Sequence, residues 1–249
     1  MKPDQVTIGL GVFRFVRSTL HVCSGLPIVF LVFPRLNPEQ RALRVQIWSQ
    51  GLLRTLGIRL EVVGTPVNQG PALLVSNHIS WLDIATLHAA RYCRFISKAD
   101  IQKWPLIGTL ASGVGTLFIQ REARRDTLRV VHHMADSLRA GDVLAIFPEG
   151  TTSLGQGVLP FHGNLLQSAI EANAPIQPVG LQYISGGGHI SLAPSYVGDD
   201  PLPLSIWRTA RARNLVVRVA FGAPQTANGR DRRTWGKDLQ ASVAALKPH

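Results

Sequence analysis

The chain is short of three things, and each shortage narrows its chemistry. Only two cysteines, Cys23 and Cys93, occur in 249 residues, with no CxxC spacing. A disulfide framework and a cysteine-built zinc site are therefore excluded, no metal is expected, and a reducing compartment fits. Acids are scarce as well: 15 Asp and Glu stand against 26 Lys and Arg, a formal charge of +11. Such a balance asks for an anionic partner, whether nucleic acid, an anionic bilayer or an acidic carrier. The third shortage is of unbroken apolar sequence. Val6 to Phe33 is mostly apolar, but Arg14, Arg17 and His21 interrupt it. The clean stretch from Val22 to Phe33 is only about half of what a spanning helix needs. Pro27 should kink it. No A-x-A-like cleavage pattern follows a short charged start, so no signal peptide is expected. A basic, apolar segment of this kind suits a helix or helix pair dipping into one leaflet, with a single tilted span as the alternative.

What is present is a large apolar fraction, 45% of residues, ample for a core. The segment Gln40 to Leu56 is amphipathic and basic, with Leu43, Ile47, Leu53 and Leu56 among Arg41, Arg44 and Arg54. Residues 1–56 read as membrane-associated helices and 57–249 as one α/β domain. In the second part strand-like and helix-like runs alternate. Strands are expected at Ile58–Val63, Ala72–Ser76, Arg94–Ser97, Thr116–Ile119, Val143–Phe147, Ile176–Gln182 and Leu215–Phe221. Helices are expected from Ser80 to Ala90, Arg125 to Arg139, Asn164 to Ala172 and Trp235 to Leu246. This order predicts a single mixed or mostly parallel sheet flanked by helices.

Three loops at expected strand ends carry the polar chemistry. The first reads Ser-Asn-His-Ile-Ser-Trp-Leu-Asp from Ser76 to Asp83. A histidine oriented by a carboxylate can take a proton from a hydroxyl near neutral pH. Residues five apart on a helix point about 140° away from each other. His78 and Asp83 can therefore meet only if His78 lies in the turn before the helix, with Ser80 as a plausible N-cap and Asp83 at the capping-box spacing. Strand-to-helix junctions of this kind are where open α/β sheets hold ligands. The second loop is Phe-Pro-Glu-Gly-Thr-Thr-Ser from Phe147 to Ser153, whose backbone N–H groups and hydroxyls can surround a polar headgroup. The third ends on Arg121, whose guanidinium can grip a phosphate bidentately. A capped surface turn, a solvated glutamate and a solvated basic helix face are the plain alternatives for the three loops taken singly.

Taken together, these blocks resemble the glycerolipid acyltransferase family typified by 1-acyl-sn-glycerol-3-phosphate acyltransferase. The family's Asn-His-x-x-x-x-Asp block is similar to Asn77, His78 and Asp83, and its Gly–aromatic–Arg block to Gly115, Phe118 and Arg121. Its Phe-Pro-Glu-Gly-Thr block is similar to Phe147–Thr151 with Ser153, and its apolar proline block to Pro175–Val179. Order and spacing agree over about residues 75 to 182, and the joint match is far more specific than any block alone. The resemblance implies acyl transfer from an acyl-carrier protein or coenzyme A thioester, a co-substrate and not a bound cofactor, to the free hydroxyl of a lysolipid. It implies His78 as general base and Asp83 as its orienter. Asn77, Arg121, Glu149, Gly150, Thr151, Thr152 and Ser153 would bind the acceptor. Lys98, followed by Trp104–Gly108, would lie beside the acyl chain. The absence of a GxSxG elbow agrees with direct attack by the acceptor oxygen. Membrane lipids are the implied partners, and the cytoplasmic face of the inner membrane the implied location.

Two departures bear on the acceptor. The family often has arginine where this chain has Thr152, and a basic residue where it has His162. Both leave fewer fixed charges for a phosphomonoester, so lyso-ornithine lipid or lysophosphatidylcholine stands as an alternative to 1-acyl-sn-glycerol-3-phosphate. A lipid thioester or ester hydrolase is a rival reading. A nucleic-acid-binding protein is another, suggested by Arg208, Arg211, Arg213, Arg218, Arg232 and Arg233. No binding motif accompanies those arginines, and no nucleic-acid partner is expected.

Overall fold

The computed structural model describes residues 4–119 and 124–247. Every expected strand is present: β1 (Arg59–Val63), β2 (Ala72–Ser76), β3 (Arg94–Lys98), β4 (Leu117–Ile119), β5 (Val143–Ile146), β6 (Ile176–Ile184) and β7 (Val216–Phe221). They form one sheet in the order β1-β7-β6-β2-β5-β3-β4. The run from β6 to β4 is parallel throughout, β7 is antiparallel to β6, and β1 is parallel to β7. The sheet is thus mixed, with a parallel block whose carboxyl ends share one edge.

Both faces of the block are covered, which is why β2 and β5 read as continuous apolar runs without alternation. Ala72, Leu74, Val143 and Ala145 pack on one side with Leu52, Leu53 and Leu56 of α3 (Pro38–Leu56) and Leu87 of α4 (Asp83–Ala90). Leu73, Val75, Leu144 and Ile146 pack on the other. There they meet Met134 and Leu138 of α7 (Arg124–Arg139), Ala169 of α8 (Gln167–Glu171) and Trp235 and Leu239 of α10 (Arg232–Ala245). Two short helices, α5 (Ala99–Gln102) and α6 (Ile107–Gly113), lead from β3 to β4. The basic helix expected at Gln40 begins earlier, at Pro38, because Asn37 and Gln40 close a capping box. It ends at Gly57, whose φ of 75° suits the left-handed turn.

Of the two forms expected for the N-terminal segment, a helix or a helix pair, the structure has the first: one helical run, Ile8–Arg35, long and apolar enough to cross a bilayer by length and composition. It comprises α1 (Ile8–Cys23), the single turn α2 (Gly25–Pro27), a π-helical stretch Ile28–Val32 and a 3-10 turn Phe33–Arg35. The wider π turn directly after Pro27 accommodates a residue that cannot donate to the ladder, so the chain stays helical through the proline. The charges that interrupt the segment point at the protein. Arg14 donates to the carbonyls of Ala210 and Ala212 at 3.3 and 2.8 Å, and Arg17 to those of Arg54 and Thr55 at 2.7 and 3.0 Å. His21 bonds Trp48 O through Nε2 at 2.8 Å. Ile8, Phe13, Val16, Leu20, Phe30 and Leu31 are left exposed on the segment.

A helix that the sequence reading did not expect, α9 (Leu202–Arg211), packs against α1. It and its neighbours use several of the arginines noted above: Arg208 pairs with Asp200, Arg211 donates to Val6 O at 3.2 Å, and Arg218 pairs with Glu61 at 2.8 Å.

Candidate active site

β2 and β5 are adjacent and parallel, so the loops that follow them emerge side by side at the same edge. His78 comes two residues after β2, and Phe147 one residue after β5. Their rings stack at 4.1 Å with an interplanar angle of 8°. This places one face of the imidazole against an apolar wall and leaves its rim to choose partners.

His78 Nδ1 lies 2.8 Å from Asp83 Oδ2. The turn that makes this possible is tighter than a capped helix start. Asp83 opens α4 and folds its carboxylate back, so that Oδ2 also accepts the N–H groups of Ile79 (2.6 Å) and Ser80 (2.9 Å). Ser80 is not the N-cap: α4 begins at Asp83 with Leu82 at the N-cap position, and Ser80 lies in the preceding turn, where its Oγ accepts from Leu82 N at 3.2 Å. Asp83 is fully buried, whereas the His78 side chain keeps 21% exposure. A carboxylate at Nδ1 selects the tautomer with hydrogen there, which leaves the Nε2 lone pair as the base.

The remaining Asp83 oxygen, Oδ1, accepts the Tyr183 hydroxyl at 2.8 Å. Sequence reading did not find Tyr183. It sits 100 positions away on β6 and inside an ordinary apolar run, so only strand pairing reveals it. Burial, then the Asp83 charge, push its pKa well above the usual phenol value, so it remains a donor.

Asn77 is also buried, and its amide is spent on backbone. Nδ2 donates to Leu181 O at 3.0 Å and Oδ1 accepts from Leu181 N at 2.8 Å. It stands behind the site as a clamp between β2 and β6, not in the cleft. Glu149 is similarly withdrawn, at 3% exposure. Its Oε1 accepts from Leu159 N at 3.1 Å and its Oε2 from His78 N at 3.4 Å. Burial pushes its pKa up to about 7, against the pull of the Leu159 and His78 N–H groups. Ser153 ties the same turn from the other side, donating through N and Oγ to His78 O at 2.9 and 3.2 Å. Lys247, which no sequence motif marks, donates to Gly155 O and Gly157 O, each at 2.7 Å, beneath this loop.

Gly150, Thr151 and His162 are among the exposed residues of the loop that follows β5. Gly150 has φ of 71°, and the His162 ring lies within van der Waals reach of where a Cβ would stand, so His162 packs beside the Gly150 turn. Thr152 donates its hydroxyl to Tyr196 O and is half-buried. Arg121 lies outside the described residues, and Lys98 is described only through its backbone, as the last residue of β3. Among the described residues no group of His, Cys, Asp or Glu is placed to hold a metal. Cys93 is buried with its thiol pushed up to about 12, unsuited to nucleophilic attack. A separate, small apolar pocket of about 40 Å³ lies between the N-terminal helical run, α3 and α6, lined by Ile28, Val29, Val45, Trp48 and Leu110.

The arrangement sets a carboxylate-oriented histidine beside a loop that exposes polar groups. Comparison with known proteins points the same way. Residues 59–182 match the Acyltransferase family. The chain is 37% identical over 212 residues to the 1-acyl-sn-glycerol-3-phosphate acyltransferase of Neisseria meningitidis, covering 84% of this chain and 82% of that one. It is 38% identical over 196 residues to the lyso-ornithine lipid O-acyltransferase of Pseudomonas aeruginosa, covering 79% and 75%. The crystal structure of the 1-acyl-sn-glycerophosphate acyltransferase of Thermotoga maritima shares the fold, with a TM-score of 0.73 at 18% identity over 96% of this chain and 93% of that one.

Proposed function

Because this chain belongs to the acyltransferase family that includes the 1-acyl-sn-glycerol-3-phosphate and lyso-ornithine lipid acyltransferases, we propose that it acylates the free hydroxyl of a lysolipid at a membrane surface. The donor is a fatty acyl thioester of acyl-carrier protein or coenzyme A, and the acceptor is 1-acyl-sn-glycerol-3-phosphate, giving phosphatidate. The observation that carries this reading is the His78–Asp83 pair, with its tautomer fixed and its outer nitrogen free of the carboxylate.

His78 Nε2 takes the proton of the acceptor hydroxyl as its oxygen attacks the thioester carbonyl. Asp83 stabilises the imidazolium that forms. The tetrahedral adduct collapses with loss of the thiolate, which recovers the proton from Nε2, so the enzyme returns unchanged. Thr151, Gly150 and His162 face the acceptor head. Glu149 acts from below, through the backbone of His78. The exposed apolar face of the N-terminal helix enters the leaflet, on the cytoplasmic side of the inner membrane where acyl thioesters are available.

A second acceptor is favoured by one observation. The Thr152 hydroxyl is already engaged by Tyr196 O, so this position offers a phosphate neither charge nor a free donor. That suits a lyso-ornithine lipid. Purified protein given labelled acyl donor with lysophosphatidate, lyso-ornithine lipid or lysophosphatidylcholine decides between them, and release of free fatty acid instead marks a hydrolase. Activity surviving in His78→Ala overturns the base. Thr152→Arg should shift preference towards lysophosphatidate.

A further inference from the structure

The dyad has a third member, and it comes from the opposite side of the carboxylate. Three donors crowd Asp83 Oδ2, while Oδ1 receives Tyr183 Oη. A carboxylate held at one oxygen can still pivot, and a pivot would misalign Oδ2 with His78 Nδ1. The Tyr183 bond pins the second oxygen. The tyrosine itself is well held: it is 1% exposed in the core, and its hydroxyl lies 3.4 Å from Thr86 Oγ1. Two residues earlier on the same strand, Leu181 is clamped by Asn77, the neighbour of His78. The strand that carries the phenol is therefore registered against the turn that carries the imidazole.

We infer that Tyr183 is a positioning residue for the general base, fixing the Asp83 carboxylate and, by drawing off part of its charge, setting the basicity of His78. Each hydrogen bond donated to a carboxylate weakens its pull on a neighbouring cation. Loss of this donor leaves Asp83 the stronger anion, so the imidazolium is favoured and the His78 pKa rises. The other groups around the pair are Glu149, which accepts from His78 N, Lys247 beyond it, and His162 across the Gly150 turn.

The proposal rests on His78 acting as base, and its test separates the two. In full-length protein, Tyr183→Phe keeps the ring and removes only the donor. A bond to a charged group is worth enough that kcat should fall about tenfold, with KM for the acceptor within about twofold. The His78 imidazole titration, followed by NMR and assigned by its absence in His78→Ala, should move up by about half to one pH unit. Replacing Tyr183 with 3-fluorotyrosine, a stronger donor of nearly the same size, should move it down. This second arm decides alone if Tyr183→Phe does not fold. A His78 midpoint unmoved in the folded variants overturns the inference whatever happens to stability, whereas activity in His78→Ala overturns the base itself.

Discussion

At the scale of single residues the site depends on where charge is allowed to stand. Asp83 is a buried carboxylate made tolerable by the donors on its oxygens, one of which is His78. Asp83→Asn should therefore lower kcat by about 10²- to 10⁴-fold, the range of a positioned acid–base group, with acceptor KM nearly unchanged in steady-state assays. Glu149 titrates in the opposite sense from most carboxyls. Its folded pKa is raised to about 7 from an ordinary 4.5, so the native state binds the extra proton between those values. Stability from this group is present at low pH and declines as pH rises from about 4.5 to 7, by about 3 kcal/mol at most. Thermal melting across that window should fall for the wild type and flatten in Glu149→Gln. The pairing of His78 with Asp83 was legible because their block is short and local. Yet the sequence put Asn77 and Glu149 with the acceptor, and both instead bind backbone. Polar residues beside a catalytic group look alike in sequence whether they face the cleft or hold it up. Tyr183 and Lys247 act across long separations and gave no local signal.

At the scale of elements, the His78 turn and the loop after β5 are one unit. Ser153 and Glu149 bind the backbone of His78, and Tyr196 N donates to Ile79 O at 3.1 Å while Tyr196 O takes Thr152. Gly155 is the tight point, with φ of 75° and a virtual Cβ only 2.9 Å from Ile79 Cδ1. Gly155→Ala should cost about 1–2 kcal/mol from the left-handed backbone alone. It should also reduce turnover, because Ile79 supplies a hydrogen bond to Asp83. Melting and kcat measured on one preparation check both. The central strands were legible for a simple reason: buried on both faces, β2 and β5 are uniformly apolar. Helix α9 was not: it starts among prolines, Pro201 and Pro203, which lack the N–H of a helix interior but are compatible with a helix start. The start of α4 was misplaced for a related reason, since the Asp83 side chain, not Ser80, organises the turn.

At the scale of the molecule, sheet order was beyond the sequence, because pairing β6 with β2 and β7 joins residues far apart in the chain. The class of sheet was within reach, since alternation of elements constrains it. The net charge and the exposed apolar helix face make a joint prediction for the proposed membrane attachment. Phe13→Glu with Leu20→Glu, at positions 56% and 66% exposed, should reduce co-flotation with phosphatidylglycerol vesicles. The binding that remains should weaken as salt rises. Turnover of a short-chain, water-soluble lysolipid should persist, because neither side chain approaches His78. The mooring of that helix has a further consequence. Arg14, Arg17 and His21 fasten it to main-chain carbonyls of α3 and the end of α9, not to side chains that could swing. For the membrane attachment proposed above, this mooring would give the protein a fixed draught, with His78 at a constant altitude above the acyl chains. A lysolipid acceptor, as proposed, would then be sorted by the height at which its hydroxyl rides, before the charge of its head is ever tested.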